Sequence, residues 1–321
     1  MSARERLHRS ELAVPATSER FFLKAAQSKA DVIFLDLEDA VAPEFKPAAR
    51  QKAIEALNGI HWGNKTMAVR VNGFDTCWAF DDIVDIVKHA PRIDLILLPK
   101  ANRADDLRFL DQLLTQIERS QDIAKSIGIE ALIETALGVA NVEDIAASSS
   151  RLEALIFGVG DYTVDMRTYD PVFGQPSERY AVLTGVQHAS ERQYHWNDQW
   201  HFAMARIANA CRANGLRPVD GPFTDFADVQ GYRSCAQRAA ALGYEGKWAI
   251  HPTQIDLANE VFSPTAAQLE WANHIQQCMQ RARESGNGAV ADKGVLVDMA
   301  HLKQAQALLD RKRLIDEMSA S

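Results

Sequence analysis

Asp31-Val-Ile-Phe-Leu-Asp-Leu-Glu-Asp39 is the stretch that decides how this chain folds. Its apolar run is β-branched and aromatic, too short and too unbroken for a surface helix, and reads as a buried strand. It stops on Glu38 and Asp39, charges that apolar surroundings would not accept unpaired. Outward from it the same pattern recurs. Further apolar runs stop at Arg70, Lys100, Glu134, Asp161 and Asp220, and a less purely apolar one stops at His251. The strands so predicted are Leu12–Val14, Asp31–Leu37, Thr66–Val71, Leu95–Pro99, Ile129–Ile133, Ala154–Val159, Leu216–Val219 and Lys247–Ile250. Helical stretches separate most of them. Between Asp105 and Arg119, Leu107, Leu110, Leu114 and Ile117 form the apolar stripe of an amphipathic helix. Gly215 and Gly243 stand where glycines end helices. Alternating strands and helices with chemistry at one strand end describe an α/β fold, a (β/α)8 TIM barrel with its active site at the strand C-termini.

Two segments exceed a minimal barrel. Residues 162–199 form a polar, aromatic insertion on the face where barrel enzymes shape substrate sites. Residues 264–321 form a helical extension, expected to be a lid or oligomer contact against a neighbouring subunit, so the expected domains are 1–263 and 264–321.

A chain of 321 residues with 47% apolar content can bury a full core. Its net charge of −8 argues against nucleic acid or an anionic membrane as partner. No run approaches the ~20 apolar residues of a membrane span. The start, MSARERLHRSELAV, has no long apolar segment, so no signal peptide is expected. Cys77, Cys211, Cys235 and Cys278 are scattered without a C-x-x-C, which suggests reduced thiols in a cytoplasmic protein.

Glu134 and Asp161 end consecutive predicted strands. Two ionised carboxylates about 4 Å apart repel by roughly 4 kcal/mol at an effective dielectric near 20. They coexist if one is protonated or a cation lies between them, and an oxygen-only ligand set points to Mg2+ or Mn2+. The plainer alternative makes each a helix cap or a solvated loop residue. Arg70, flanked by apolar neighbours, is expensive unless paired. It either neutralises a substrate oxygen or pairs with Glu38 or Asp39. Lys100 is a Schiff-base lysine or an ion-pair partner, and His251 a base, a ligand or a framework residue. Arg9, Arg20, Lys24, Lys46 and Arg50 form a basic cluster that suits a phosphorylated cofactor tail or a solvated helix face. Gly158-Val-Gly160 lacks the third glycine of a dinucleotide fingerprint.

DVIFLDLEDAVAP (31–43), AVRVNG with Asp75 and Thr76 (68–76), ALIETALGVANVE (131–143), DGPF with DF (220–226) and GKWAIHP through LANEVF (246–262) together resemble the citrate-lyase-β/malyl-CoA-lyase family, the HpcH/HpaI aldolase superfamily. The last two, with Val297-Asp298, look closest to its L-malyl-CoA/β-methylmalyl-CoA lyase branch. The resemblance implies metal-dependent, reversible retro-Claisen cleavage of malyl-CoA to acetyl-CoA and glyoxylate, and of β-methylmalyl-CoA to propionyl-CoA and glyoxylate. The same scaffold also carries malyl-CoA thioesterase and citramalyl-CoA lyase activities. By motif, Glu134 and Asp161 match the Mg2+ ligands, Glu38 and Asp39 the acidic pair behind the metal waters, and Arg70 the substrate arginine. Asp298 matches a tail carboxylate that the family inserts into a neighbouring subunit's site as acid/base, where desolvation would have to raise its pKa. Arg9, Lys24 and Lys46 fall where the family contacts coenzyme A. Arg20 stands in for the arginine of the family's Gly-Ser-Arg turn, since this chain reads Ala16-Thr17-Ser18-Glu19-Arg20. A homo-oligomer, trimer or hexamer, is implied as well.

Overall fold

The computed structural model describes residues 6–185 and 192–320; residues 1–5 of the N-terminal stretch and 186–191 of the insertion lie outside the described residues. The strands are β1 (Ser10–Pro15), β2 (Val32–Asp36), β3 (Thr66–Arg70), β4 (Leu95–Leu98), β5 (Gly128–Ile133), β6 (Leu152–Phe157), β7 (Ala181–Thr184), β8 (Gln193–Trp196), β9 (Arg217–Asp220) and β10 (Gly246–Ala249). All but β7 and β8 close into one parallel barrel, in which β10 returns to β1 through the pair Ser10↔Lys247. Each predicted strand is present with its ends moved by a residue or two, except that Val159 opens a short helix, Val159–Asp165. The expected insertion after β6 contains the antiparallel hairpin β7–β8.

Side chains alternate across a strand, so every second residue of these strands faces the barrel interior. Phe34, Leu97, Leu132, Ile156, Val219 and Trp248 meet there in a buried cluster. The same parity carries Asp36 and Arg70, at the C-terminal ends of β2 and β3, and Glu134, just past β5, to the inner side of the upper rim. It also brings Glu11 and Glu130 inside at the lower end.

That lower end holds a charge cluster the sequence reading missed. His8 Nδ1 lies 2.7 Å from Glu11 Oε1 and 3.0 Å from Glu130 Oε1. Trp248 donates to the other Glu11 oxygen at 2.9 Å. Arg6 and Arg217 both reach Glu153 nearby. The Glu130 contact is close but poorly aligned, and neither of its carboxyl oxygens has a hydrogen-bond partner among the described residues. Burial therefore pushes Glu130 up to about 8, against the pull of Arg217, and pushes Glu11 up to about 7. Burial acts on His8 in the opposite direction, towards the neutral ring. A carboxyl whose folded value lies above its unfolded one holds its proton more tightly when folded. Its contribution is greatest below pH 4.5 and is lost as pH rises through about 8. Glu130→Gln keeps the neutral form at every pH. Relative to wild type it should gain on the order of 3 kcal/mol between pH 5 and pH 8, measured by denaturant unfolding at both. An unchanged difference would contradict this account of Glu130.

The chain separates into two compact units, Met1–Asn259 and Glu260–Ser321. The second consists of a helix (Ala266–Glu284), the hairpin β11 (Val290–Asp292) and β12 (Val295–Val297), and a helix (Met299–Ala320). The first helix starts with a reciprocal cap between Thr265 and Gln268. Ala272, Ile275, Met279, Val297 and Ala305 form the core of this unit. Among the described residues no helix is long and apolar enough to cross a membrane.

Candidate active site

Asp36 and Arg70 are register partners on adjacent strands, so the guanidinium is held where it leaves the barrel wall. Arg70 Nε donates to Asp36 Oδ1 at 2.8 Å and its NH2 group to Oδ2 at 2.6 Å, a two-pronged pair that sets the plane of the guanidinium. A third nitrogen sits 2.8 Å from Glu38 Oε2, an ion pair whose angles fall short of a hydrogen bond. The Trp248 ring lies 5.5 Å beneath. Burial works against this charge, but Asp36, Glu38 and Glu134 outweigh it and hold Arg70 above its ordinary range. The partners expected from sequence were Glu38 or Asp39. The structure supplies Asp36 and Glu38, while Asp39 is exposed at the mouth of the cavity.

Lys100 ties two acids together. Its backbone adopts a left-handed φ of 50°, a strained conformation for a side-chain-bearing residue. In that conformation its N–H donates to Glu134 Oε1 at 2.7 Å, and its ammonium donates to Glu38 Oε1 at 2.6 Å. Burial would lower Lys100, but Glu38, Asp39 and Glu134 hold it raised and charged. A charged, ion-paired ammonium is not a nucleophile, so the Schiff-base alternative loses its residue.

Glu134 is 1% exposed. A Cβ added at Gly158 would stand 2.4 Å from Glu134 Cβ and 2.5 Å from Oε2, so the glycine makes room for the carboxylate. This accounts for Gly158 without a nucleotide. Burial first, then the charges of Glu38 and Asp161, push Glu134 well above the carboxylate range. Burial also raises Glu38 despite Arg70 and Lys100. Asp161 is placed differently from expectation. It does not end a strand, since β6 stops at Phe157, and lies in the first turn of the helix Val159–Asp165. It faces the same space. Asp36, Arg70, Glu134, Asp161, Trp248 and Phe173 line a cavity of about 480 Å³ at the C-terminal mouth of the barrel. Phe173 belongs to the insertion and is latched to Thr224 by paired backbone and side-chain hydrogen bonds.

These residues fit a hard divalent cation. Glu134 is an almost fully buried carboxylate whose nearest charged company includes two more acids, and the donors facing the cavity beside it are oxygens, the set that Mg2+ and Mn2+ take.

The basic residues divide. Arg20 and Lys24 are exposed on the helix Glu19–Ala26, which follows β1 and so starts at the same rim. Arg9 precedes β1, at the opposite end of the barrel, and its guanidinium and backbone N–H grip Asp31. Lys46 is buried and gives its ammonium to the Leu37 and Glu38 carbonyls and to Asn72 Oδ1. The coenzyme contacts expected at Arg9 and Lys46 thus meet side chains already committed to framework bonds. Lys46 instead braces the loop that carries Glu38. Arg50 pairs with Asp82 and Asp85. His251 bonds Thr253 and stacks on Phe226 as a framework residue.

Asp298 belongs to the second unit. It follows β12 and caps the final helix, accepting from the Ala300 N–H at 3.0 Å and lying 2.8 Å from His301 Nδ1. His301 holds its carboxyl below the ordinary range, opposite to the raised value expected of a desolvated acid/base.

Sequence reading missed Asp36 and Trp248. Asp36 was visible as the inward-parity successor of Val32 and Phe34. Phe173 lies at the cavity, in the aromatic insertion expected on that face.

Residues 9–252 match the family model described as HpcH/HpaI aldolase/citrate lyase. The chain belongs to this family. Within the HpcH/HpaI aldolase/citrate lyase family, it is 45% identical to the L-malyl-CoA/β-methylmalyl-CoA lyase of Cereibacter sphaeroides, over 97% of this chain and 96% of that one. It is 35% identical to the malyl-CoA/β-methylmalyl-CoA/citramalyl-CoA lyase of Chloroflexus aurantiacus, over 89% of this chain and 81% of the relative. Among solved structures it resembles CitE of Mycobacterium tuberculosis in complex with magnesium, acetoacetate and coenzyme A, with a TM-score of 0.73 and 26% identity over 95% and 98% of the two chains.

Proposed function

We propose that this chain is a divalent-metal-dependent carbon–carbon lyase. It cleaves L-malyl-CoA to acetyl-CoA and glyoxylate, and β-methylmalyl-CoA to propionyl-CoA and glyoxylate, reversibly. The observation that carries the reading is the convergence of Glu134, Asp161 and Arg70 on one cavity at the barrel mouth. The similarity to curated lyases of this type over nearly the whole chain supports it.

Glu134 and Asp161 would hold Mg2+ or Mn2+, with Glu38 and Asp39 behind. The bound ion supplies Lewis-acid polarisation of the substrate's hydroxyl and carboxylate oxygens. As the hydroxyl proton passes to water at the cavity mouth, the carbinol carbon becomes an aldehyde and the bonding pair goes into a thioester enolate, which needs a proton in turn. Arg70 carries N–H groups beyond those given to Asp36 and Glu38, and these stabilise negative charge as it develops on the substrate. One well-aimed donor of this kind contributes about 3 kcal/mol. The Asp36 fork and the Trp248 ring keep it aimed. Phe173 and Trp248 exclude water, which protects the enolate from a stray proton. Asp298, by motif, returns the proton to the enolate carbon and removes it in the condensation direction. In this reading it acts from a neighbouring copy within a trimer or hexamer. Docking there would have to replace His301 as its partner, because a carboxylate held low is a poor base. Arg20 and Lys24 are the candidates for the phosphates of coenzyme A. A cytoplasmic location completes the proposal.

Product analysis with malyl-CoA, β-methylmalyl-CoA and citramalyl-CoA, with and without chelator, tests the reading. Glyoxylate and acetyl-CoA that vanish on chelation and return with Mg2+ are the expected result. Malate plus free CoA would make the protein a thioesterase, and pyruvate a citramalyl-CoA lyase. Asp298→Ala should retain CoA affinity while hydrogen–deuterium exchange at the acetyl-CoA methyl is suppressed; exchange at the wild-type rate would remove Asp298 from the mechanism.

A further inference from the structure

In the second unit three donors of different chemistry converge. His274 and Cys278 stand four residues apart on the helix Ala266–Glu284, so they share one face of it. Asp292 ends β11 against that face. His274 Nε2 lies 2.7 Å from Asp292 Oδ2 and 3.4 Å from Cys278 Sγ, and the ligand atoms of all three lie within 4.8 Å of one another. A tetrahedral zinc shell, with bonds of about 2.0–2.3 Å to nitrogen, oxygen and sulfur, has edges of roughly 3.3–3.8 Å. The nitrogen–sulfur edge already has that length. The nitrogen–oxygen edge needs to open by about half an ångström, a side-chain rotation for a partly exposed aspartate.

We propose that His274, Cys278 and Asp292 form a site in the second unit for a borderline-soft divalent cation of the zinc class. Imidazole, thiolate and carboxylate together suit such an ion, whereas Mg2+ avoids thiolate. A water completes the shell from the adjoining cavity of about 260 Å³, which Cys278 and Asp292 both line. The Arg281 guanidinium lies 3.5 Å from the sulfur, beside the shell. Binding releases the thiol proton to solvent. The ion clasps the hairpin β11–β12 to the helix and so adds a cross-link to a unit with a small core. A hydrogen-bonded histidine–aspartate pair beside an uninvolved thiol is the plainer account, and the two differ in one spectroscopic property.

Full-length protein stripped by chelator is titrated with Co2+, which occupies zinc sites and reports a thiolate ligand by a near-ultraviolet sulfur-to-metal charge-transfer band. The expected result is a band that saturates at one equivalent per chain, is bleached by Zn2+, and is absent from Cys278→Ser. His274→Ala should weaken binding at least tenfold. Glu134→Gln, which alters only the oxygen site in the barrel, should keep the band, so the outcome does not depend on the lyase reading. Absence of the band in wild type, or its persistence in Cys278→Ser through the exposed Cys77, would overturn the proposal.

Discussion

Glu134→Gln is expected to lower lyase turnover on the order of 10³-fold or more while leaving the barrel folded. The amide fills the same space against Gly158, where a Cβ would already come within 2.5 Å of Oε2, so packing barely changes. What changes is charge. Glu134 faces Glu38 and Asp161, and its carboxylate is the least solvated of the three. Without a cation the variant should be at least as stable as wild type, because the amide carries neither the desolvation nor the like-charge cost of ionising Glu134. With Mg2+ the order reverses. Wild type gains thermal stability from any ion that binds only the folded state, and the variant gains far less. Thermal melts with and without Mg2+, beside a turnover assay, read both effects. Undiminished turnover, or an intact Mg2+-dependent melting shift, would remove Glu134 from the ligand set.

Arg70 is where the next largest effect is expected. Arg70→Met strands the buried Asp36 without its cation and leaves the buried Glu38 with Lys100 alone. Removing one member of a buried ionic cluster costs about 3–5 kcal/mol, so this variant should unfold at markedly lower denaturant. Arg70→Lys separates stability from chemistry. A lysine restores the charge but cannot present two parallel N–H groups to Asp36 while a third nitrogen reaches Glu38. It should recover most of the lost stability yet remain about 10²-fold slow in turnover. A Lys variant that restores both would reduce Arg70 to a counter-ion. One that restores neither would mean that the fork geometry holds the rim together.

Much of the fold could be read locally. The strand at Asp31–Leu37 announced itself through unbroken apolar character, and its neighbours followed because buried parallel strands share that composition. Glu134 and Arg70 were legible because each ended such a run. Asp161 was attributed to the wrong element, since the apolar Val159 prolonged the run beyond the turn at Gly158. Lys46 and Arg9 looked like anion binders because sequence displays a charge and not its partner. Lys46 proves to be spent on two backbone carbonyls and Asn72, and Arg9 on Asp31 across the opposite rim. Lys100 is the reverse case. Nothing in the sequence says that its backbone turns left-handed and hands its N–H to Glu134.

Periodicity, strand-end charges and family motifs are properties of neighbouring residues, and from them came the closed parallel barrel, its chemical end and the acids and arginine that face it. Pairing is a property of residues far apart, and only the closed barrel could settle it. The folded chain gave Arg70 to Asp36 as well as Glu38, and Arg9 to Asp31 at the foot of the barrel. The reason is desolvation. In water each of these charges would be indifferent to the others, whereas inside the barrel an unpaired charge costs several kcal/mol, so the folded chain dictates which group must meet which.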